Sequence, residues 1–183
     1  MKSRIANFIL KQKGWKIDSN MPADIKKAVV IMAPHTSYYD FVYGWLAFTA
    51  YKFKGKFMIK KESFAFPFGP ILKSLGGIPV DRSNSRSAIK SVHKAFENSK
   101  ELYLVVTPEG TRKLVTNWKK GFYHIAKEAN VPIVCGYLDY KLKTGGFGPV
   151  LNPSDDYEVI MKSIQEFYKG KGARHPEKFN LSQ

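Results

Sequence analysis

The run Ala28-Val29-Val30-Ile31-Met32-Ala33-Pro34-His35-Thr36-Ser37-Tyr38-Tyr39-Asp40-Phe41 decides the architecture. Its first six residues are apolar without alternation, the pattern of a strand buried on both faces of a parallel sheet. An apolar, aromatic run from Phe41 follows and reads as a helix from about Ser37 to Tyr51. His35 then stands at the carboxyl end of a strand, where ligand sites gather in open α/β sheets. Asp40 falls in the first helical turn, from which it can fold back towards His35. An aspartate bonded to one imidazole nitrogen fixes the tautomer and frees the other nitrogen to take a proton, which suits a general base acting on a hydroxyl. Ser37-x-x-Asp40 also reads as a capping box that needs no chemistry, and His35 as a strand-end histidine bonded to a main-chain carbonyl. The capping and catalytic roles are compatible.

Working outward, 183 residues with 44% hydrophobic and 14% aromatic content are enough for one domain with a substantial core. The expected fold is a single α/β domain, residues 1–183, with a mostly parallel or mixed central sheet flanked by helices. Cys135 is the one cysteine and lies in an apolar strand, so no disulfide framework exists and a reducing compartment is expected. Thirty Lys and Arg against fifteen Asp and Glu give a net charge of +15. A surface so basic attracts nucleic acid, anionic head groups or an acidic carrier protein. No zinc-ligand spacing, RNA-binding aromatic signature or GxxxxGK[ST] loop occurs, which argues against nucleic acid and NTPase readings. No apolar stretch approaches the roughly 20 residues that span a bilayer.

Residues 1–20 read as a short basic amphipathic helix and a turn, with Ile5, Phe8 and Ile9 on one side. The helix either docks on the domain or lies flat on an anionic membrane. Its apolar run is too short for a signal-peptide core. Lys56 to Lys60 reads as a strand, and Phe64-Ala65-Phe66-Pro67-Phe68-Gly69-Pro70 as a loop folded onto the core or an interface with lipid. Gly76 to Arg82 reads as a tight turn, a short strand and a charged end. The helix after it repeats Ala88, Ile89, Val92 and Phe96 at helical spacing, with His93 solvated or partly packed. Leu102 to Val106 reads as a second buried strand, Lys119 to Asn130 as a helix, and Val131 to Tyr137 as a further strand. Pro132 places that strand's start there or puts it at an edge. A last strand near Phe147 to Leu151 and a helix from Ser154 to Tyr168 precede a basic tail, 169–183, expected to fray.

Three segments converge on one sheet edge: His35 with Asp40, Asp81-Arg82, and Glu109 with Arg112, bordered by Lys60 and Lys61. Two guanidinium groups near a base are what phosphate recognition needs, because each offers paired donors in a plane. Each arginine also has a bland partner, Asp81 or Asp40 for Arg82 and Glu109 for Arg112.

In order along the chain, these residues resemble the glycerolipid acyltransferase superfamily, the bacterial 1-acylglycerol-3-phosphate acyltransferases in particular. The HxxxxD block is His35-Thr36-Ser37-Tyr38-Tyr39-Asp40. A second block is Gly76-Gly77-Ile78-Pro79-Val80-Asp81-Arg82, a third is Pro108-Glu109-Gly110-Thr111-Arg112, and a fourth is Val131-Pro132-Ile133-Val134. The resemblance implies a glycerol-3-phosphate acyltransferase-like fold and acyl transfer from acyl carrier protein or acyl-coenzyme A to a lysophospholipid hydroxyl, in phospholipid biosynthesis. It implies His35 as base and Asp40 as the group that orients it. Arg82 and Arg112 would hold the phosphate with Lys60 or Lys61 helping, and Glu109, Gly110 and Thr111 would join the substrate site. No cofactor beyond the thioester donor and no metal is implied. The setting would be the cytoplasmic face of an anionic membrane, with the protein peripheral and without a nucleic acid partner.

This chain departs from the family's pattern. Pro34 precedes the histidine where relatives often have Asn, Thr107 replaces the usual Phe, and Cys135-Gly136 replaces a second proline. Many relatives carry an amino-terminal membrane helix or hairpin that is not seen in this sequence. The reaction class survives these changes, and they open the acceptor to a non-phosphate lipid such as an acylated amino acid. A non-enzymatic basic module for membranes or nucleic acid explains the charge but not the four blocks, and a metal-dependent hydrolase using His35, Asp40 and Glu109 is a minor alternative.

Overall fold

One seven-stranded sheet carries the strand-end turns, in the order Lys16–Ile17, Thr144–Leu151, Ile133–Asp139, Lys27–Met32, Leu102–Val106, Gly55–Lys60 and Gly77–Val80. These coordinates come from a computed structural model that describes residues 1–81 and 85–182. The elements are α1 (Lys2–Gln12), β1 (Lys16–Ile17), β2 (Lys27–Met32), α2 (Tyr38–Ala50), β3 (Gly55–Lys60), α3 (Phe68–Ser74), β4 (Gly77–Val80) and α4 (Ser85–Glu97). They continue with β5 (Leu102–Val106), α5 (Gly121–Ala129), β6 (Ile133–Asp139), β7 (Thr144–Leu151) and α6 (Tyr157–Tyr168). All pairings are parallel except that of β6 with β7, so the sheet is mixed, as expected.

Strand β2 lies between β5 and β6 and is buried from Ala28 to Ile31 because both faces are covered. Its alternate residues serve two cores, following the period-2 geometry of a strand. Val29 and Ile31 join Val92, Phe96, Phe122, Ile125, Ile160 and Ile164 beneath α4, α5 and α6. Ala28 and Val30 face Phe48 of α2 together with Phe57, Tyr103 and Phe147. Each large apolar side chain so buried contributes about 1.5–3 kcal/mol. Tyr168, fully buried in α6, places its hydroxyl 2.9 Å from the Ile31 carbonyl and 2.8 Å from that of Gly136. That contact ties the ends of β2 and β6 together just before His35.

Several expectations change. The turn expected after the amino-terminal helix contains strand β1, in which Lys16 and Ile17 pair with Thr144 and Gly145. Strand β6 starts after Pro132 and is internal, so of the two readings of that proline the first holds. The Phe64–Pro70 segment is a 3₁₀ turn (Lys61–Phe64) leading into α3 rather than a loop folded inward. Phe64 is half-buried, while Phe66 is 93% and Phe68 62% exposed. The amino-terminal helix docks on α2 through Ala6 and Leu10, and its Ile5, Phe8 and Ile9 point outward.

The tail is not frayed. Trp118 donates its main-chain N–H to Ser182 Oγ and its indole N–H to the Asn180 carbonyl, and Phe179 and Leu181 pack on the main core. Apolar contact plus buried hydrogen bonds offset the entropy of ordering a polar segment. Residues 172–182 therefore run as a strap over the carboxyl edge of the sheet. Arg82 lies outside the described residues.

Candidate active site

The β2–α2 turn is built around one carboxylate. Ser37 caps α2, accepting at Oγ from the Tyr39 N–H, while Asp40 Oδ2 accepts from the Ser37 N–H at 2.8 Å in a capping box. Asp40 Oδ2 also accepts from the Thr36 N–H at 2.7 Å and lies 3.3 Å from His35 Nδ1. Its other oxygen, Oδ1, accepts from the Tyr140 hydroxyl at 2.6 Å. Capping and orientation of His35 are thus done by the same side chain. Asp40 is buried, whereas His35 keeps 20% of its side chain exposed, so a group at the mouth of the turn can reach the imidazole.

The β5–α5 turn meets it from the neighbouring strand. Glu109, 2% exposed, accepts at Oε1 from the His35 main-chain N–H at 2.7 Å. Its Oε2 is buried without a hydrogen-bond partner among the described residues. Burial first, then the nearby charge of Asp40, pushes the Glu109 carboxyl up to about 8, against the lowering effect of the His35 N–H. Glu109 therefore supports the main chain under His35 rather than pairing with Arg112. Gly110 adopts φ +68 with Lys119 packed against it; a Cβ there would sit 3.0 Å from that side chain, so the turn requires glycine. Thr111 Oγ1 accepts from the Lys113 N–H. Arg112 stacks its guanidinium 3.4 Å from the centre of the Tyr38 ring, three residues beyond His35.

Because β2, β3, β4 and β5 are parallel, their carboxyl ends open on one edge, and Lys60, Lys61 and Asp81 belong to that edge. Lys60 is exposed and 3.6 Å from Glu62. Direct contact unites His35, Asp40 and Glu109, with Arg112 joined through Tyr38. Among the described residues, no three His, Cys, Asp or Glu side chains gather as metal ligands.

The model of the family described as Acyltransferase matches residues 15–138, which include both turns and Asp81. The chain belongs to the acyltransferase family. Within that family it is 31% identical over 137 residues to a 1-acyl-sn-glycerol-3-phosphate acyltransferase of Limnanthes alba, covering 71% of this chain and 47% of that protein. A protein of the same description from Cocos nucifera is 38% identical over 81 residues, 41% of this chain and 26% of its own length. The chain thus spans less than half of the curated acyltransferases it matches. Its fold is similar to the crystal structure of the 1-acyl-sn-glycerophosphate (LPA) acyltransferase PlsC from Thermotoga maritima, with a TM-score of 0.59 and 18% identity over 94% of this chain and 80% of that one.

Three contacts of this candidate site are not legible in the motifs. Tyr140 sits at the carboxyl end of β6, beside β2. Arg174 and His175 arrive from the strap: the Arg174 guanidinium is 4.0 Å from the centre of the Tyr39 ring, and the His175 N–H donates to Thr36 Oγ1. For Tyr140, its place at a parallel strand's carboxyl end is the one available signal.

Proposed function

We propose that this protein is an O-acyltransferase that moves a fatty acyl group from acyl carrier protein or acyl-coenzyme A to the hydroxyl of a 1-acyl-glycerol-3-phosphate-type lipid. The observation that carries the reading is the 3.3 Å approach of Asp40 to His35 Nδ1 at the mouth of the β2–α2 turn. With Nδ1–H held towards Asp40, Nε2 takes the acceptor's proton as its oxygen attacks the thioester carbonyl. The C–S bond then breaks and the proton passes to the leaving thiolate. Arg112, stacked beside this turn, has the paired donors to hold the acceptor's phosphate, with Lys60 and Lys61 as further cations at the edge.

The work is done at an anionic membrane on its cytoplasmic face. Supporting this, Ile5, Phe8 and Ile9 on α1, Val42 on α2, and Phe66, Phe68 and Ile71 around α3 are exposed on a chain of net charge +15. No helix among the described residues is long and apolar enough to cross a bilayer. The test supplies acyl-coenzyme A and lysophosphatidate in vesicles containing phosphatidylglycerol and follows free thiol. His35→Ala is expected to lower kcat by about a thousandfold or more, and full turnover by that variant overturns the reading.

A further inference from the structure

The matched family segment ends at residue 138, yet two of the anchors on the His35–Asp40 turn come from beyond it. Tyr140 donates its hydroxyl to Asp40 Oδ1 at 2.6 Å, the short length of a charge-assisted bond. The ring behind that hydroxyl is clamped, edge-on to Trp15 at 5.1 Å and to Tyr43 at 6.2 Å. Its main-chain N–H donates to the Gly172 carbonyl at 2.8 Å, and three residues further along the strap His175 donates to Thr36 Oγ1. Gly172 leaves no room for a side chain, since a Cβ would lie 2.7 Å from Lys141 Cβ and 2.8 Å from Asp139 Oδ1.

The geometry points to Tyr140, locked in place by the strap, as a positioning residue that holds the Asp40 carboxylate in the plane facing His35 Nδ1. Asp40 Oδ2 is fixed by two main-chain N–H groups, and a carboxylate so held can still rotate about its side-chain bonds unless its second oxygen is pinned. Tyr140 is the side chain that pins it. Burial, then the bond to Asp40, raises the Tyr140 phenol, so it stays a donor across the physiological range. The charged and titratable groups around the pair are Glu109 from the β5–α5 turn, Tyr43 from α2, and Arg174 and His175 from the strap, with the Arg174 guanidinium 5.7 Å from the Tyr140 ring centre. Since the strap closes on the turn from outside the family segment, orientation of the imidazole is in this chain partly a property of the strap.

The kinetic arm of the test rests on the acyl-transfer reading, and the spectroscopic arm does not. In the 183-residue chain, Tyr140→Phe keeps the ring in its aromatic clamp and removes only the hydroxyl. With palmitoyl-coenzyme A and lysophosphatidate, kcat is expected to fall about tenfold while both KM values stay within about twofold, as misorientation of a base predicts. In histidine-labelled protein, the Nδ1 proton resonance of His35 is expected to broaden or vanish. Gly172→Ala, which retains the hydroxyl but must displace the strap, is expected to move both readouts the same way by a smaller factor, and it decides the matter alone if Tyr140→Phe does not fold. A resonance unchanged in the folded variants overturns the proposal, as does a loss appearing in KM instead of kcat. If wild-type protein transfers no acyl group to lysophosphatidate, the functional reading fails, and the resonance still decides the positioning role.

Discussion

The β2–α2 and β5–α5 turns leave the same edge of the sheet, each with a buried carboxylate, and they treat that group in opposite ways. Asp40 meets two main-chain N–H groups, a tyrosine hydroxyl and an imidazole nitrogen. Glu109 meets one N–H, has no hydrogen-bond partner at Oε2 among the described residues, and is pushed up to about 8. Burial is common to both, so the number of donors separates an environment built for an anion from one that favours a neutral acid. The first turn sets a carboxylate 3.3 Å from His35 Nδ1. The second acts as a strut beneath it.

The sharpest way to break this contrast is Asp40→Asn. The amide can still accept from the Thr36 and Ser37 N–H groups, so the turn survives while the charge is lost. Activity is expected to fall by about a thousandfold or more with only a modest change in melting temperature; a variant within tenfold of wild type would show that the charge at this turn is dispensable.

Next in size is Glu109→Gln, which keeps the acceptor for the His35 N–H and removes the titration. Because the folded-state value of about 8 lies above the ordinary 4.5, the native state holds the proton more tightly than the unfolded chain. Wild-type stability should therefore decline as pH rises from about 4.5 through 8 and level off above it. The variant should lose less stability between pH 5 and pH 9, by an amount on the order of a few kcal/mol. Parallel melting curves for the two proteins across that interval would remove Glu109 as the neutral partner.

The smallest effect is expected for Arg112→Ala, since Arg112 is half-buried and stacks on Tyr38. The KM for lysophosphatidate should rise about tenfold with kcat little changed. An unchanged KM would move phosphate recognition to the other cations of the edge.

The sequence made β2, α2, β5 and the capping box legible because each has a strong local signal: a continuous apolar run, a helical period, or a fixed spacing. The junction of His35 with Asp40 was legible for the same reason, since five positions across a strand–helix boundary determine it. Strand β1 has two residues and so no periodicity to read; its partner β7 creates it. Tyr140 touches Asp40 across a separation of 100 residues, and no spacing rule spans that distance. The strap looks polar and basic, and its docking depends on where Trp118 and Thr36 lie in space. Glu109 was legible as part of a motif, but its burial was not, because the strand-end turn that covers it belongs to a distant segment.

The borders of the sheet carry a last consequence. At one, β1 offers only two residues. At the other, the Phe57 N–H donates to the Gly76 carbonyl, and the alternation of a parallel ladder then turns Pro79 of β4 outward, where its ring nitrogen has no hydrogen to give. Neither end strand provides a long template on which a stranger's backbone could zip, which disfavours stacking of copies into fibres.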